Sequence, residues 1–513
     1  MPDSYPARRV YSVVGVPPEV QAYAMAKYSR SGQGMLESIQ ELSQEKAEQF
    51  LNTFYFQYGH RSIADLAHLV FGLEQISILA AMAVVDEQVW DGQERSTRYQ
   101  PFRKTGWYAP AELAGTPAES VFRLTAEGLF AAYEGLAAGL LERLVEAVPR
   151  PAAMPEAAYR RTLRARAFDV ARALLPLGTH TSVGQVVSAR VLERQISRLL
   201  ASPYDELQAI GVEMRAACQL PAQAPLLERF IAEADPDLVD ILRPRAAPTL
   251  VKYAMASEYR PLAAVELEQA AATYLGPLGE PDHSRSVELA EPATDPLDEI
   301  VATLLYRHDH AGHSYRQTCA AVDGLSAGQK AEILSLSVKH RGKYDELLRE
   351  HQAGYSLVFD VLVDLGSFRD LHRHRRCVQV QQPLTWSHQV APVEDVFRAG
   401  LGDAAALAAL EGGLGEVYLD SLARAEQAAS SVRAVAPLAS DYLLPLAYRT
   451  RCLFKLDWAQ AAYLIELRTG PAGHFSYRRA AWGMFEALRE RFPPLAASIR
   501  ATDPYGPLDL LSR

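Results

Sequence analysis

Residues 171–190 read ARALLPLGTHTSVGQVVSAR, and residues 440–460 read SDYLLPLAYRTRCLFKLDWAQ. Each holds a Leu-Pro-Leu triplet, Leu175-Pro176-Leu177 and Leu444-Pro445-Leu446, and each places a threonine five positions after the proline, Thr181 and Thr450. A proline at such a point predicts the start or a kink of a helix. A second echo lies upstream of each. Residues 66–77, LAHLVFGLEQIS, put Ala67, Leu69, Phe71 and Leu73 on one face with the period of two that marks a half-buried strand. Tyr355, Leu357, Phe359, Val361, Val363 and Leu365 repeat that pattern against Ser356, Asp360 and Asp364, and GSFRDLHRHRR follows at once. Self-similarity at this spacing reads as a duplication: two related domains, residues 1–235 and 299–513. Residues 236–298, with eight prolines from Pro236 to Pro296, read as the connecting region.

The bulk properties agree with more than one core. The chain has 513 residues, beyond what a single domain usually holds. Its 49% apolar and 22% charged composition is that of an ordinary globular protein. The net charge of −10 argues against a general grip on nucleic acid or on anionic lipid and leaves room for a local basic pocket that takes small anionic ligands. No apolar run approaches the ~18 residues of a membrane span, and residues 1–20, MPDSYPARRVYSVVGVPPEV, lack a basic segment followed by an apolar one. A cytoplasmic location is the expectation. Cys218, Cys319, Cys377 and Cys452 form no C-x-x-C pair, so buried free thiols are expected.

Three stretches carry chemistry. Residues 86–99, DEQVWDGQERSTRY, set Glu94, Ser96, Arg98 and Tyr99 in the order E-x-S-x-R-Y. At alternating positions of an extended loop, carboxylate, hydroxyl and guanidinium point one way, and arginine holds a phosphate with two parallel hydrogen bonds. A solvated surface loop satisfies the same spacing, and spacing alone favours it. Arg373-His374-Arg375-Arg376 needs either an anion or solvent. Eight of the 13 histidines fall between His308 and His388, and His308, His310 and His313 stand close together with Asp309. This is not the H-E-x-x-H arrangement, no ligand set is fixed by spacing, and no metal ligand is assigned.

Taken in order, these motifs resemble the flavin-dependent thymidylate synthases. The first half offers His60-Arg61-Ser62-x-x-Asp65, a strand, E-R-S-T-R-Y, the arginine-bearing A-R-A-L-L-P-L and S-A-R. The second is similar to a further copy: His340, a strand, R-H-R at Arg373–Arg375, L-P-L, and Leu467-Arg468. Each departs from the family's pattern. In the first copy Asp86, Glu87 and Gln88 stand where the family has R-H-R, and Ser188 where it has the asparagine of N-A-R. In the second, Gln381, Pro383, Thr385 and Trp386 replace E-x-S-x-R-Y. What one copy lacks the other keeps, which suggests composite sites shared between the halves.

The resemblance implies a mixed α+β fold: two flavin-dependent-thymidylate-synthase-like domains in tandem, each a central antiparallel sheet packed with long helices. It implies FAD as cofactor, NADPH and methylenetetrahydrofolate as co-substrates, and reductive methylation of dUMP to dTMP. Carried over residue by residue, Glu94, Ser96, Thr97, Arg98, Arg172 and Arg468 bind the nucleotide, with Ser96, Arg98 and Arg468 nearest the chemistry. His60, Ser62, Arg190, Arg373, His374 and Arg375 grip the flavin. It also implies a homodimer of the tandem chain mimicking the family's tetramer. Two alternatives stand beside it: an inactive paralogue that still binds flavin or nucleotide, because Asp86 and Glu87 would repel phosphates if they face the site, and a histidine–metal hydrolase built on His308, His310 and His313.

Overall fold

The computed structural model describes residues 13, 15–27, 35–40, 61–98, 102, 106–233, 239, 242–252, 254–290, 296–340, 348–351, 357–497, 499–506 and 509–511. His60, Tyr99 and Tyr355 lie outside them. Two antiparallel sheets organise the chain. The first has the order β1-β3-β2, with β1 His68–Ser77, β2 Asp91–Glu94 and β3 His180–Ser188. The second has the order β4-β5-β7-β6, with β4 Val287–Ala290, β5 Leu357–Asp364, β6 Val378–Gln381 and β7 Arg449–Leu456. Setting β4 aside, the two orders are the same, so the fold repeats as the sequence echo does.

The repeat extends to single caps. Ser77 ends β1, and its Oγ accepts from Ala80 N at the start of α1 (Ile78–Val85). Asp364 ends β5 and accepts from Ser367 N in the same way, opening the helical segment Leu365–Leu371. Ser188 caps α4 (Ala189–Leu200) after β3, and Asp457 caps the helix Trp458–Thr469 after β7. Each cap satisfies a backbone N–H that the first helical turn leaves without a partner. Between the second and third strands of the first half run α2 (Pro117–Ala147) and α3 (Glu156–Ala171). Helix Leu414–Arg433 takes that place in the second half and packs against α2. One core runs through both halves, joining Leu136, Leu140 and Leu175 to Tyr418, Leu422 and Leu444.

The prolines neither start nor kink a helix. Leu175 (φ −67°, ψ 125°) and Leu444 (φ −63°, ψ 115°) are extended, because a proline ring crowds the residue before it out of the α region. The two extended triplets pair with each other. Pro176 faces Pro445 in an antiparallel bridge, Leu177 N donates to Leu444 O and Leu446 N to Leu175 O, both at 2.9 Å. Gly178 N adds a bond to Tyr442 O at 2.7 Å and Ala447 N one to Ala173 O at 2.8 Å. This reciprocal pairing is a local two-fold axis relating the halves.

The strands differ from expectation at three points. β1 begins at His68, after a 3₁₀ turn over Arg61–Leu66. Its alternation breaks between Glu74 and Ile76, where Gln75 (φ 59°) forms a bulge. β5 is buried on both faces, not one. Phe359 and Val361 pack towards helices Trp458–Thr469 and Phe475–Arg491, while Val358 meets helices that include α5 (Tyr259–Leu275) and α6 (Pro296–Arg307). Asp360 is therefore buried, and Arg451 Nη1 (2.9 Å), Tyr306 OH (3.0 Å) and Tyr315 N (2.8 Å) satisfy it. The proline-dense stretch 236–298 is thus more than a connection: it supplies α5 and β4, and Pro261, Pro277 and Pro296 sit at helix ends, where a missing N–H costs nothing. The outer face of the first sheet has no such cover; Val70 is 79% exposed.

A Cβ added at Gly178 would stand 2.9 Å from Tyr442 O. Gly178→Ala should therefore push the triplets apart at a cost of about 1–3 kcal/mol, lowering the melting temperature in calorimetry. Gly128→Ala, on the exposed face of α2 with nothing within 4 Å, should raise it slightly. An unchanged melting temperature for Gly178→Ala would show that this pairing does not hold the halves together.

Candidate functional site

The site lies in the seam on one side of this axis and draws on both halves. From the first half, β2 ends at Glu94 and the chain turns, Ser96 Oγ accepting from Arg98 N at 3.2 Å. The stretch is a turn after Glu94 and not the extended loop its spacing suggested, and it buries Thr97 and Arg98. Asp169 lies on the last turn of α3, and Arg172 opens the 3₁₀ turn before the first proline triplet. From the second half come Arg369 and Asp370 on α7 (Leu365–Leu371), Arg373 to Arg375 just beyond it, Arg468 on α9 (Trp458–Thr469), and His474 and Tyr477 at the start of α10 (Phe475–Arg491); between them, α8 (Leu414–Arg433) completes the numbering.

Arg98 grips Asp169 with two parallel bonds, Nε to Oδ1 at 2.8 Å and Nη2 to Oδ2 at 3.1 Å. It also reaches the second half through Tyr477 OH at 3.2 Å and Ala472 O at 3.3 Å. Burial disfavours its charge, but Asp169 outweighs burial and holds it protonated. Glu94 pairs across the seam with Arg369. Arg172 Nη1 donates to Thr97 Oγ1 at 3.2 Å, and its Nη2 lies 3.5 Å from Asp370 Oδ2. His474 caps α10, accepting from Ser476 N at Nδ1, while its Nε2 bonds Asp169 O at 2.9 Å. Gly366 lets α7 approach Arg172; a Cβ there would lie 3.5 Å from Arg172 Nε and 3.2 Å from Asp364 Oδ1. A cavity of about 180 Å³ adjoins this point, lined by Asp169, Arg172, Asp364, Tyr418 and His474 among others.

Asp370 is the centre of the field. Burial raises its pKa, but Arg172, Arg373, Arg98 and Arg468, two from each half, together hold it below the usual carboxylate range. None of them bonds it at hydrogen-bond distance: Arg373 Nη2 is 3.9 Å from Oδ1, and Oδ2 is buried without a hydrogen bond. Arg373's guanidinium makes no hydrogen bond among the described residues. Arg468 Nε donates to His374 Nε2 at 2.7 Å, and its guanidinium lies 5.4 Å from the Tyr477 ring; its terminal nitrogens likewise have no hydrogen-bond partner among the described residues. Five guanidiniums (Arg98, Arg172, Arg369, Arg373, Arg468) thus face Glu94, Asp169 and Asp370, and the Asp364 carboxyl lies beside Arg172 in the same cavity.

The remaining candidates divide. Arg375 lies 4.1 Å over the Trp90 ring of the first half, and burial, then Arg373, bring its pKa down to about 10. Trp90 also lines a cavity of about 410 Å³ with Arg190, Arg194 and His68. Arg190 pairs there with Asp65 at 3.0 Å, half exposed. Ser62 is exposed on the 3₁₀ turn, and His60 lies outside the described residues. Asp86 and Glu87 do not repel ligands: Arg349 holds Asp86 at 2.7 Å, and Arg194 and Arg198 hold Glu87 at 2.8 and 2.9 Å. His340 is remote from the seam and bonds Glu266. The three imidazoles of the histidine cluster do not converge on one point, although His308 and His310 line one cavity. His313 bonds Asp309 and Gly279 O, His310 faces Glu268 at 3.6 Å, and His308 is held neutral by burial. Among the described residues no group of three or more potential ligands could hold a metal ion.

Arg369, Asp370, Asp169, His474 and Tyr477 escaped the motif reading. A faint signal existed: Asp169 is the one acid in the buried run Ala165–Ala171, and Arg369-Asp370 interrupts an otherwise apolar turn after β5.

A family model described as thymidylate synthase complementing protein matches residues 14–222 and again 299–494. A UPF0159 protein of Chlamydia muridarum is 25% identical over 98% of this chain and 93% of its own length, and one from Thermoplasma acidophilum is 24% identical over 93% and 94%. A flavin-dependent thymidylate synthase of Clostridium tetani is 25% identical over 34% of this chain and 67% of its own. A crystal structure of the Helicobacter pylori flavin-dependent thymidylate synthase with FAD and dUMP aligns at 14% identity and a TM-score of 0.24, covering 40% of this chain and 90% of that one.

His374 is 5% exposed, and burial, then Arg468 and Arg375, pull its pKa from 6.5 to about 3. The folded state binds fewer protons than the unfolded one between these values, so this group's contribution to stability is lost as pH falls below 6.5. In ¹⁵N-histidine NMR, His374 Nε2 should remain unprotonated at pH 5. A titration near 6.5 would show that the Arg468–His374 bond is not formed.

Proposed function

We propose a function from one premise: the chain belongs to the thymidylate synthase complementing protein family, whose model it matches in both halves. The reading is a flavin-dependent thymidylate synthase with a composite site, carrying out reductive methylation of dUMP to dTMP with methylenetetrahydrofolate as carbon donor and NADPH as reductant. The observation that carries it is the pair Arg373 and Arg468, two cations near buried Asp370 whose terminal nitrogens have no hydrogen-bond partner among the described residues. Two guanidiniums with donors to spare suit the dianion of a phosphate monoester.

The residues divide the work by half. Arg98 and Arg172, tied to Asp169, Thr97 and Asp370, set the floor of the seam. Glu94, Ser96 and Thr97 offer hydrogen-bonding groups beside them. Arg373 and Arg468 supply the free donors. With Nε committed to neutral His374, Arg468 has its plane fixed and its terminal nitrogens available for a pyrimidine carbonyl oxygen, where negative charge grows as the ring becomes nucleophilic. The cavity bounded by Trp90, His68, Arg190 and Arg194, with Arg375 stacked on the same indole, fits an aromatic ring system with an anionic linker. FAD is the cofactor assigned there, held also by Ser62, His60, Arg373 and His374, and when reduced it supplies the hydride.

A second reading has its own support. Arg98 and Glu94 are saturated by Asp169 and Arg369, which suits a paralogue that binds flavin or nucleotide without turnover. The separate partners of His308, His310 and His313 leave the hydrolase without a centre. The open face of the first sheet, with Val70 and Val186 exposed, supports a homodimer of the tandem chain. A cytoplasmic location belongs to the same reading; no helix among the described residues is long and apolar enough to cross a membrane.

Purified protein should take up FAD, seen as a flavin absorption band, and release tritium from [5-³H]dUMP when folate and NADPH are added. Arg468→Ala should lower turnover about 10²–10³-fold, and Arg373→Ala should weaken FAD or dUMP binding. Flavin binding without tritium release selects the inactive paralogue, failure to take up flavin removes the synthase reading, and failure to bind dUMP as well removes both. Light scattering should give a dimer that Val70→Lys converts to monomer.

A further inference from the structure

The local two-fold axis that creates the site must also create a second seam. Equal steps from paired landmarks locate it. Asp86 lies nine residues past Ser77, as Arg373 lies nine past Asp364; Leu199 lies eleven past Ser188, as Arg468 lies eleven past Asp457. Gln381 corresponds in this way to Glu94, and Leu438, seven before Pro445, to Asp169, seven before Pro176. All four counterparts, Asp86, Leu199, Gln381 and Leu438, line one cavity of about 810 Å³. The counterpart of Arg172, four before its proline, is Asp441, which bonds Tyr204 OH and whose pKa burial lifts to about 6.

Charge at this second seam has been reversed and then rebuilt from elsewhere. Two positions that are arginine in the first seam are acids here, Asp86 and Asp441. The cations now lining the cavity are Arg198 of α4, Arg260 of α5, Arg307 of α6 and Arg349. Three of them are engaged: Arg349 by Asp86, Arg198 by Glu87 and Arg307 by Glu350 at 3.7 Å. Arg260 makes no hydrogen bond or ion pair with any described residue. Asp86, Glu268 and Glu350 also line the cavity; burial and then Arg198 disfavour the Arg260 proton more than Glu350 and Glu87 favour it, so an anion placed against Arg260 would stabilise its charge. The other walls are apolar, including Leu199, Leu207, Val265, Phe368 and Val380, and the volume is that of a site for a whole small molecule and not a lone ion.

We propose that the second seam is a binding site for a phosphate-bearing small molecule with an apolar or aromatic body, its phosphate held by Arg260. Arg260 and the rest of α5 fall between the two family matches, 14–222 and 299–494, so this ligand is recognised by residues outside the duplicated family segments. The inference goes beyond the proposed synthase reaction and stands or falls separately from it.

Isothermal titration of the full chain at low salt tests it with two probes, AMP (phosphate plus aromatic body) and inorganic pyrophosphate (charge alone). AMP should bind saturably and more tightly than pyrophosphate. Arg260→Gln should weaken AMP at least tenfold, while Arg98→Gln, in the first seam, leaves it unchanged. Ala264→Trp, which fills the cavity one turn along α5, should abolish AMP binding and serves if Arg260→Gln does not fold. Absence of saturable binding by either probe overturns the proposal. So does a loss that follows Arg98→Gln in place of Arg260→Gln.

Discussion

The reciprocal pairing of Leu175-Pro176-Leu177 with Leu444-Pro445-Leu446 is the constraint on which the rest of the molecule depends. Proline has no N–H and forces the residue before it to be extended, so neither triplet can join a helix, and each leaves its flanking N–H and C=O groups in need of partners. The other triplet supplies them. Because the exchange is reciprocal, it sets the halves about an axis. Both helix N-caps and both third strands follow each proline at equal distances, so the elements beyond it are placed by the same operation. The continuous core from α2 to α8 then makes the arrangement one body and not two tethered ones.

Electrostatics in the first seam follow from that placement. Arginines from the two halves meet at Asp370, where no single half has enough acids to balance them. The buried guanidiniums of Arg98, Arg172 and Arg369 take carboxylate or hydroxyl partners inside the protein. Those nearer the surface, Arg373 and Arg468, keep donors in reserve. The field is thus an ordered one: interior charges are neutralised and rigid, and peripheral ones are available. Neutral His374 matters to this order because a protonated imidazole would repel Arg468 instead of orienting it.

The duplication has not stayed symmetric. In the second half α5 and β4, which lie between the two family matches, and α6 cover the outer face of the sheet and bury Asp360 and Lys455 with dedicated partners. The first half kept an open face. The same segment lines the second seam, where Arg260 stands in a cavity that also holds Asp86 at the position equivalent to Arg373. A duplicated chain can alter one seam in this way while the other keeps its arginines, which two identical subunits cannot do.

By itself the sequence determined the duplication, the alternating strands and the identity of Arg98, Arg172, Arg373 and Arg468 as residues of interest, because echo, period and motif are local properties of the chain. It misjudged the prolines, whose partner is 269 residues away (Pro176 to Pro445). It also read Asp360 as the polar side of a strand, because nothing local reveals that distant helices cover both faces. Only the tertiary structure decided which arginines are saturated and which are free, that Asp86 and Glu87 are harmless, and that Asp169, Asp370 and His474 belong to the site. Charge pairing is a matter of distance in space, and the partners here come from opposite halves: the motifs named the arginines, but only the axis between the prolines brought them to one carboxylate.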